Sequence, residues 1–218
     1  MRLTHATPVP VRTRDHGASL IELMVGITLM GLLISLGIPT FSDWLRNAQI
    51  RTAAESIQNG LQFARTEAVR RNTSVRFQLT SSLDSSCSLV TDGAYWLVNM
   101  GSDVSPSGKC DDAASDTASP FILQRSPAGS NPEIFDITAN QYAVSFNGLG
   151  QQTATQNPNI SPSTLTIDVK SSSAACLGTT GGTARCLRIT VSPAGQIRMC
   201  DPSIAGPGIT TQTHPTAC

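Results

Sequence analysis

From Leu20 to Ile38 the chain runs nineteen residues with a single charge, Glu22. As a helix such a run reaches about 28 Å, close to the roughly 30 Å hydrocarbon core of a bilayer. A rod of this kind has to lie in lipid or against other rods. Arg2, Arg12 and Arg14 precede it, and basic flanks stay on the cytoplasmic side. The run therefore predicts a cytoplasmic N-terminus and a remainder sent across the membrane. All six cysteines lie beyond it, in agreement with an oxidising compartment on the far side.

Three readings compete for this segment. A secretory signal peptide has a basic start and an apolar stretch, but a shorter stretch followed by a small-residue cleavage site. An ordinary anchor gives no reason for Glu22, since a carboxylate in lipid costs roughly 3 kcal/mol on insertion scales. A specialised segment is the third reading, in which Glu22 has a partner.

Gly17-Ala18-Ser19-Leu20-Ile21-Glu22, followed by Leu23-Met24-Val25, resembles the processing site of type IV prepilins. The resemblance implies that a prepilin peptidase cuts after Gly17 and that Ala18 becomes an N-methylated terminus. It also implies that Glu22 pairs with a neighbouring subunit's terminal amine during assembly. Many pilins begin with Phe where this chain has Ala18. Cleavage would remove Arg2, Arg12, Arg14 and Asp15 and leave a formal charge of −2.

Pro39 follows the apolar run. Proline removes one backbone bond and kinks a helix that continues, and pilin helices resemble this. The pattern beyond supports continuation. Ile50, Ala54, Ile57, Leu61, Ala64 and Ala68 form one apolar stripe at helical period. Glu67 stands four residues before Arg71, the favourable order for an ion pair. The spacing predicts a helix over 19–72, roughly 80 Å of rod.

From Thr73 the chain turns to short alternating runs broken by Gly, Pro, Ser and Asn, which reads as all-β. The predicted strands are 74–80, 94–100, 121–124, 142–146, 165–170, 187–191 and 196–199. Ser192-Pro193-Ala194-Gly195 reads as a hairpin turn. Segments 102–119, 151–163 and 171–182 read as surface loops, because their Ser, Thr, Gly, Pro and Asp content cannot fill a core. Cys87, Cys110, Cys176, Cys186, Cys200 and Cys218 contain no C-x-x-C pair, so disulfides outrank zinc. Neighbour pairing, Cys87–Cys110, Cys176–Cys186 and Cys200–Cys218, is the first choice. The other joins Cys186 to Cys200 across the last hairpin and sends Cys176 to Cys218.

Composition excludes several functions. Fifteen basic and fifteen acidic residues leave no net charge, against a strongly basic nucleic-acid binder or an acidic tail. His5, His16 and His214 are the three histidines, too few and too scattered for imidazole catalysis or metal ligation. No G-x-S-x-G elbow, phosphate-binding loop or zinc signature occurs. Gly178-Thr179-Thr180-Gly181-Gly182-Thr183 lacks the lysine and helix of a phosphate cradle. No enzyme and no cofactor is expected.

The stretches 48–55 and 61–72, the run Phe146-Asn147-Gly148-Leu149-Gly150 and the ending 189–202 resemble the GspH/FimT/FimU group of minor pilins and pseudopilins. This implies an α+β pilin fold, with a long N-terminal helix packed on an antiparallel, β-sandwich-like head. The expected organisation is a leader over 1–17, a membrane or filament-core helix over 18–38, its amphipathic continuation over 39–72, and a disulfide-bearing head over 73–218. Implied partners are prepilin peptidase, major and other minor pilins or pseudopilins, an inner-membrane assembly platform and membrane lipid. The expected location is the inner membrane with the head in the periplasm, then the pilus or pseudopilus. A tip-located minor pilin is the favoured role, since cysteine-rich heads resemble pilus members. A type II secretion pseudopilin is the alternative. Competence members of the group bind DNA through a Gly-Arg-x-Arg hairpin. Here the position reads Gly195-Gln196-Ile197-Arg198, which leaves Arg198 and nearby Arg188 as thin candidates for phosphate contacts. Arg65, Arg70, Arg71 and Arg76 form the densest basic cluster and read as a helix-end and inter-subunit surface.

Overall fold

The structure, a computed structural model, describes residues 19–101, 104–127, 134–157, 159–204, 214 and 216–218, with the side chains of 36–40 outside that description. Helix α1 spans Leu20–Arg71, within a residue of the expected limits at each end. Its stop is local. Asn72 adopts a left-handed φ of 49°, which Asn tolerates better than most residues. The Asn72 amide then donates to the Val69 carbonyl at 3.3 Å and the Thr73 amide to Ala68 at 3.2 Å. Pro39 falls inside the helical span.

The chain divides into two compact units, one ending at Ser42 and one from Asp43 to Cys218. In the first, α1 is apolar on every side, and Leu20, Ile21, Leu23, Met24, Ile27 and Leu33 are all exposed. In the second, the predicted stripe is the buried face of α1: Ile50, Ala54, Ile57, Leu61, Ala64 and Ala68 are each at most 1% exposed.

Among the described residues ten strands follow: β1 Val75–Thr80, β2 Tyr95–Met100, β3 Ile122–Arg125, β4 Phe135–Ala139, β5 Ala143–Phe146, β6 Thr155–Gln156, β7 Asn159–Ile160, β8 Leu165–Ser171, β9 Leu187–Val191 and β10 Ile197–Cys200. They form two four-stranded sheets, ordered β3-β2-β1-β5 and β10-β9-β8-β4, plus the small pair β6-β7. The ladders between these strands are antiparallel. Phe77, Trp96, Val98, Val144 and Phe146 of the first sheet share one core with Ile137, Ile167, Val169, Ile189 and Val191 of the second, beneath the helix stripe. Leu165–Ser171 alternates buried and half-buried along its whole length, as a strand with one covered face should.

Gly60 sets how closely the helix approaches. A Cβ there would lie 2.8 Å from the Trp96 ring and 3.0 Å from Phe77. The two rings stack at 5.5 Å, and the indole Nε1 donates to Ser56 Oγ at 3.2 Å.

Three expectations are corrected. Strand β4 was not among the predicted runs, although Phe135, Ile137 and Ala139 alternate with Asp136 and Thr138. The loop 151–163 contains the β6–β7 ladder. Arg76 belongs to no surface cluster: it is 0% exposed and donates from Nη1 to the Asn157 carbonyl at 2.7 Å and from Nη2 to Gly101 at 2.8 Å. The reason is that β1 is an inner strand covered on both faces. The loop after β2 closes over its polar side, where Gln78 Nε2 donates to Asn99 Oδ1 at 2.6 Å and Asn99 Nδ2 reaches the Val104 and Pro120 carbonyls at 3.1 and 3.3 Å.

The disulfides follow the neighbour scheme: Cys87–Cys110, Cys176–Cys186 and Cys200–Cys218. The alternative fails on register, because Cys200 stands opposite Arg188 and not Cys186.

Candidate assembly interface

Gly17 and Ala18 lie outside the described residues. Glu22 sits in the first turn of α1 and is exposed. It edges a shallow depression with Leu23, Gly26, Ile27 and Met30. A Cβ on Gly26 or Gly31 would meet nothing within 4 Å, so these positions present bare backbone. Among the described residues no helix is long and apolar enough to cross a membrane.

On the head, the residues that carried the resemblance converge. Asn147 folds the 147–150 turn about itself: its Oδ1 accepts from the amides of Leu149 at 3.0 Å and Gln151 at 3.1 Å, and its carbonyl accepts from Gly150 at 2.8 Å. Gly150 has a φ of 73°, and its carbonyl accepts from Arg65 Nε at 3.1 Å. Gly195, with φ 81°, completes the expected β9–β10 turn, where its amide donates to Ser192 at 2.8 Å. Gln152 closes the junction by donating from Nε2 to the Val191 and Ser192 carbonyls at 3.0 and 3.1 Å.

The other basic residues are mostly spoken for. Glu67 accepts from Arg70 and from Arg71 Nε at 2.7 Å, and Arg71 Nη1 reaches Asp116 at 3.0 Å. The Arg70 hydrogen bond, opposed by desolvation and helped by Arg71, holds the Glu67 carboxyl down at about 2. Arg188 forms a two-pronged pair with Asp168 on the adjacent strand, at 2.6 and 2.9 Å, which raises its pKa. Arg198 lies opposite Thr190 on the same outer face, half-buried, with no ion pair among the described residues. The two arginines therefore share a face, but one is neutralised. Among the described residues no group of His, Cys, Asp or Glu is placed to share a metal ion.

The described chain is thus a long helix, apolar and exposed over 20–35, and a β head pinned by three disulfides. The family model described as type II transport protein GspH matches residues 53–195, well over half the chain, and the chain belongs to that family of type IV pilin-like proteins. Two crystal structures of the type IV minor pilin FimU of Pseudomonas aeruginosa (strain PAO1) are similar to it. One is 18% identical over 74% of this chain and 94% of that one, with a TM-score of 0.43. The other is 19% identical over 72% and 97%, also at 0.43. No curated protein matches.

Proposed function

We propose that the chain is a minor type IV pilin, a non-enzymatic subunit that takes part in starting or building a pilus, at its tip. Prepilin peptidase cuts after Gly17, Ala18 becomes the methylated terminus, and the subunit waits in the inner membrane with its head in the periplasm. Residues 18–38 form the membrane and filament-core segment, Pro39 bends the rod as it leaves, and an assembly platform hands the subunit to its neighbours. The observation that carries this reading is the segment Leu20–Ile34: helical, apolar on every side, and bearing one carboxylate in its first turn.

The physics of assembly follows from that carboxylate. Apolar packing draws rods together without fixing their offset. A carboxylate left unpaired in lipid costs roughly 3 kcal/mol, so the offset that brings Glu22 to a neighbour's terminal amine is preferred and the others are penalised. Gly26 and Gly31 permit close approach there.

Mass spectrometry of the native protein tests the first step: the expected chain begins at Ala18. Glu22→Ala should be processed and inserted yet fail to enter filaments. Its normal incorporation would remove the pairing mechanism.

The description of the matching family as a type II transport protein favours a second reading, a pseudopilin of a secretion system. Deleting the gene and scoring surface pili against secreted protein separates the two. DNA binding is the third reading and rests on Arg198 alone, since Asp168 occupies Arg188.

A further inference from the structure

Beyond residue 45 the exposed large apolar side chains among the described residues are Val69, Leu149 and Leu177. Two of the three belong together. Leu149 is 79% exposed and Val69 50%, and Val69 Cγ2 lies 3.2 Å from where a Cβ on Gly150 would stand. Val69 on α1 therefore flanks the 147–150 turn that carries Leu149. Single exposed leucines are ordinary, but this one is held out. The Asn147 hydrogen bonds, the left-handed Gly150 and the Arg65 bond to its carbonyl hold the turn in the form that presents Leu149 outward. An apolar group fixed in water gains only by meeting a partner, and a preformed turn loses little freedom when it does.

The rim states the partner's charge. Glu67 and Asp116 balance Arg70 and Arg71, and Arg65 leaves the rim one charge positive. Its Nε is bound to Gly150, and its two terminal nitrogens have no partner among the described residues, so they are free to take a carboxylate. A second copy of this chain fits poorly. Its recess lined by Leu45, Trp96, Phe135 and Ile137 carries no charged residue in its lining, and its recess of about 750 Å³ lined by Trp44, Leu187, Met199 and Ile204 is edged by Arg51 and Arg185, whose carboxylate partners Glu55 and Asp201 are already engaged.

We infer that Leu149 and Val69, with Arg65 at their edge, form the docking surface for the head of a different pilin-type subunit, one presenting an apolar recess bordered by a free carboxylate. This rests on the filament-subunit reading and names a contact of the head, separate from the Glu22 pairing.

The test uses the full chain in cells that assemble it, scoring leader removal, protease resistance of the head in native membranes, and abundance in sheared filaments. Leu149→Asp should be processed and protease-resistant yet depleted at least tenfold from filaments, while Leu149→Met matches the unaltered chain. Wild-type incorporation of Leu149→Asp, or equal depletion of Leu149→Met, overturns the surface. A photo-crosslinking residue at position 149 in an otherwise unaltered chain gives a readout independent of folding damage. A crosslink to another pilin-type subunit is expected. A crosslink to lipid, to a second copy of this chain, or to nothing overturns it. Glu22→Ala, carried in parallel, reports on the assembly mechanism by itself. Absence of the unaltered chain from filaments would end both proposals.

Discussion

Gly195 presses against the carbonyl of Gly150 so closely that a Cβ at Gly195 would fall 1.8 Å from that oxygen. The last hairpin and the 147–150 turn therefore meet backbone to backbone, and the helix joins them through Arg65. Gly195→Ala meets both this clash and an unfavourable φ of 81°. We expect a loss of about 2–4 kcal/mol, read as a lowered midpoint in denaturant unfolding of the full chain in micelles.

Gly60→Ala sets two effects against each other. Alanine improves helix propensity by about 1 kcal/mol. The added methyl would stand 2.8 Å from the Trp96 ring, and overpacking costs about 1–3 kcal/mol. The clash should win because Trp96 is stacked on Phe77 and tied to Ser56. A net destabilisation of about 1–2 kcal/mol, with a shift in tryptophan emission, is the expected result. Unchanged stability would mean that the indole can move aside.

Glu67 makes the head sensitive to acid. Its folded pKa, about 2, lies below the ordinary 4.5. Its stabilising contribution is therefore complete above the unfolded value and disappears as pH falls from about 4.5 toward 2. Screening at exposed Arg70 limits the size to on the order of 1 kcal/mol. Thermal unfolding across this window should flatten in Glu67→Gln relative to the unaltered chain. Identical slopes would place the acid sensitivity elsewhere.

The Cys87–Cys110 bridge spans 23 residues and pins the segment that covers the polar side of β1. Replacing both cysteines by serine should cost about 2–4 kcal/mol by loop-entropy arguments, and calorimetry gives the comparison. Non-reducing peptide mapping should find three bridges between sequence neighbours, and any Cys186–Cys200 peptide would contradict the register of the last hairpin.

Much of the head was legible because its signals are periodic and local. Ile50 through Ala68 repeat at helical spacing, and all six are buried. Leu187, Ile189 and Val191 alternate, and β9 spans them. Strand β4 carried the same alternation in Phe135, Ile137 and Ala139 and could have been found from it. Arg76 could not. Its type and its neighbours in sequence suggest a surface cation, and its burial depends on segments 25 and 81 residues away. Gly60 gave no local sign either, because the ring it must admit lies on β2.

The sequence alone determined where the rod begins and ends, which of its faces is apolar, and that a β head with paired cysteines follows, because hydrophobic period and turn chemistry act over a few residues. Only the tertiary structure decided which cysteines join, that Arg188 is cancelled by Asp168, and that Leu149 stands out in water beside Val69. Those outcomes depend on which distant segments share a surface, and short-range periodicity carries no information about that.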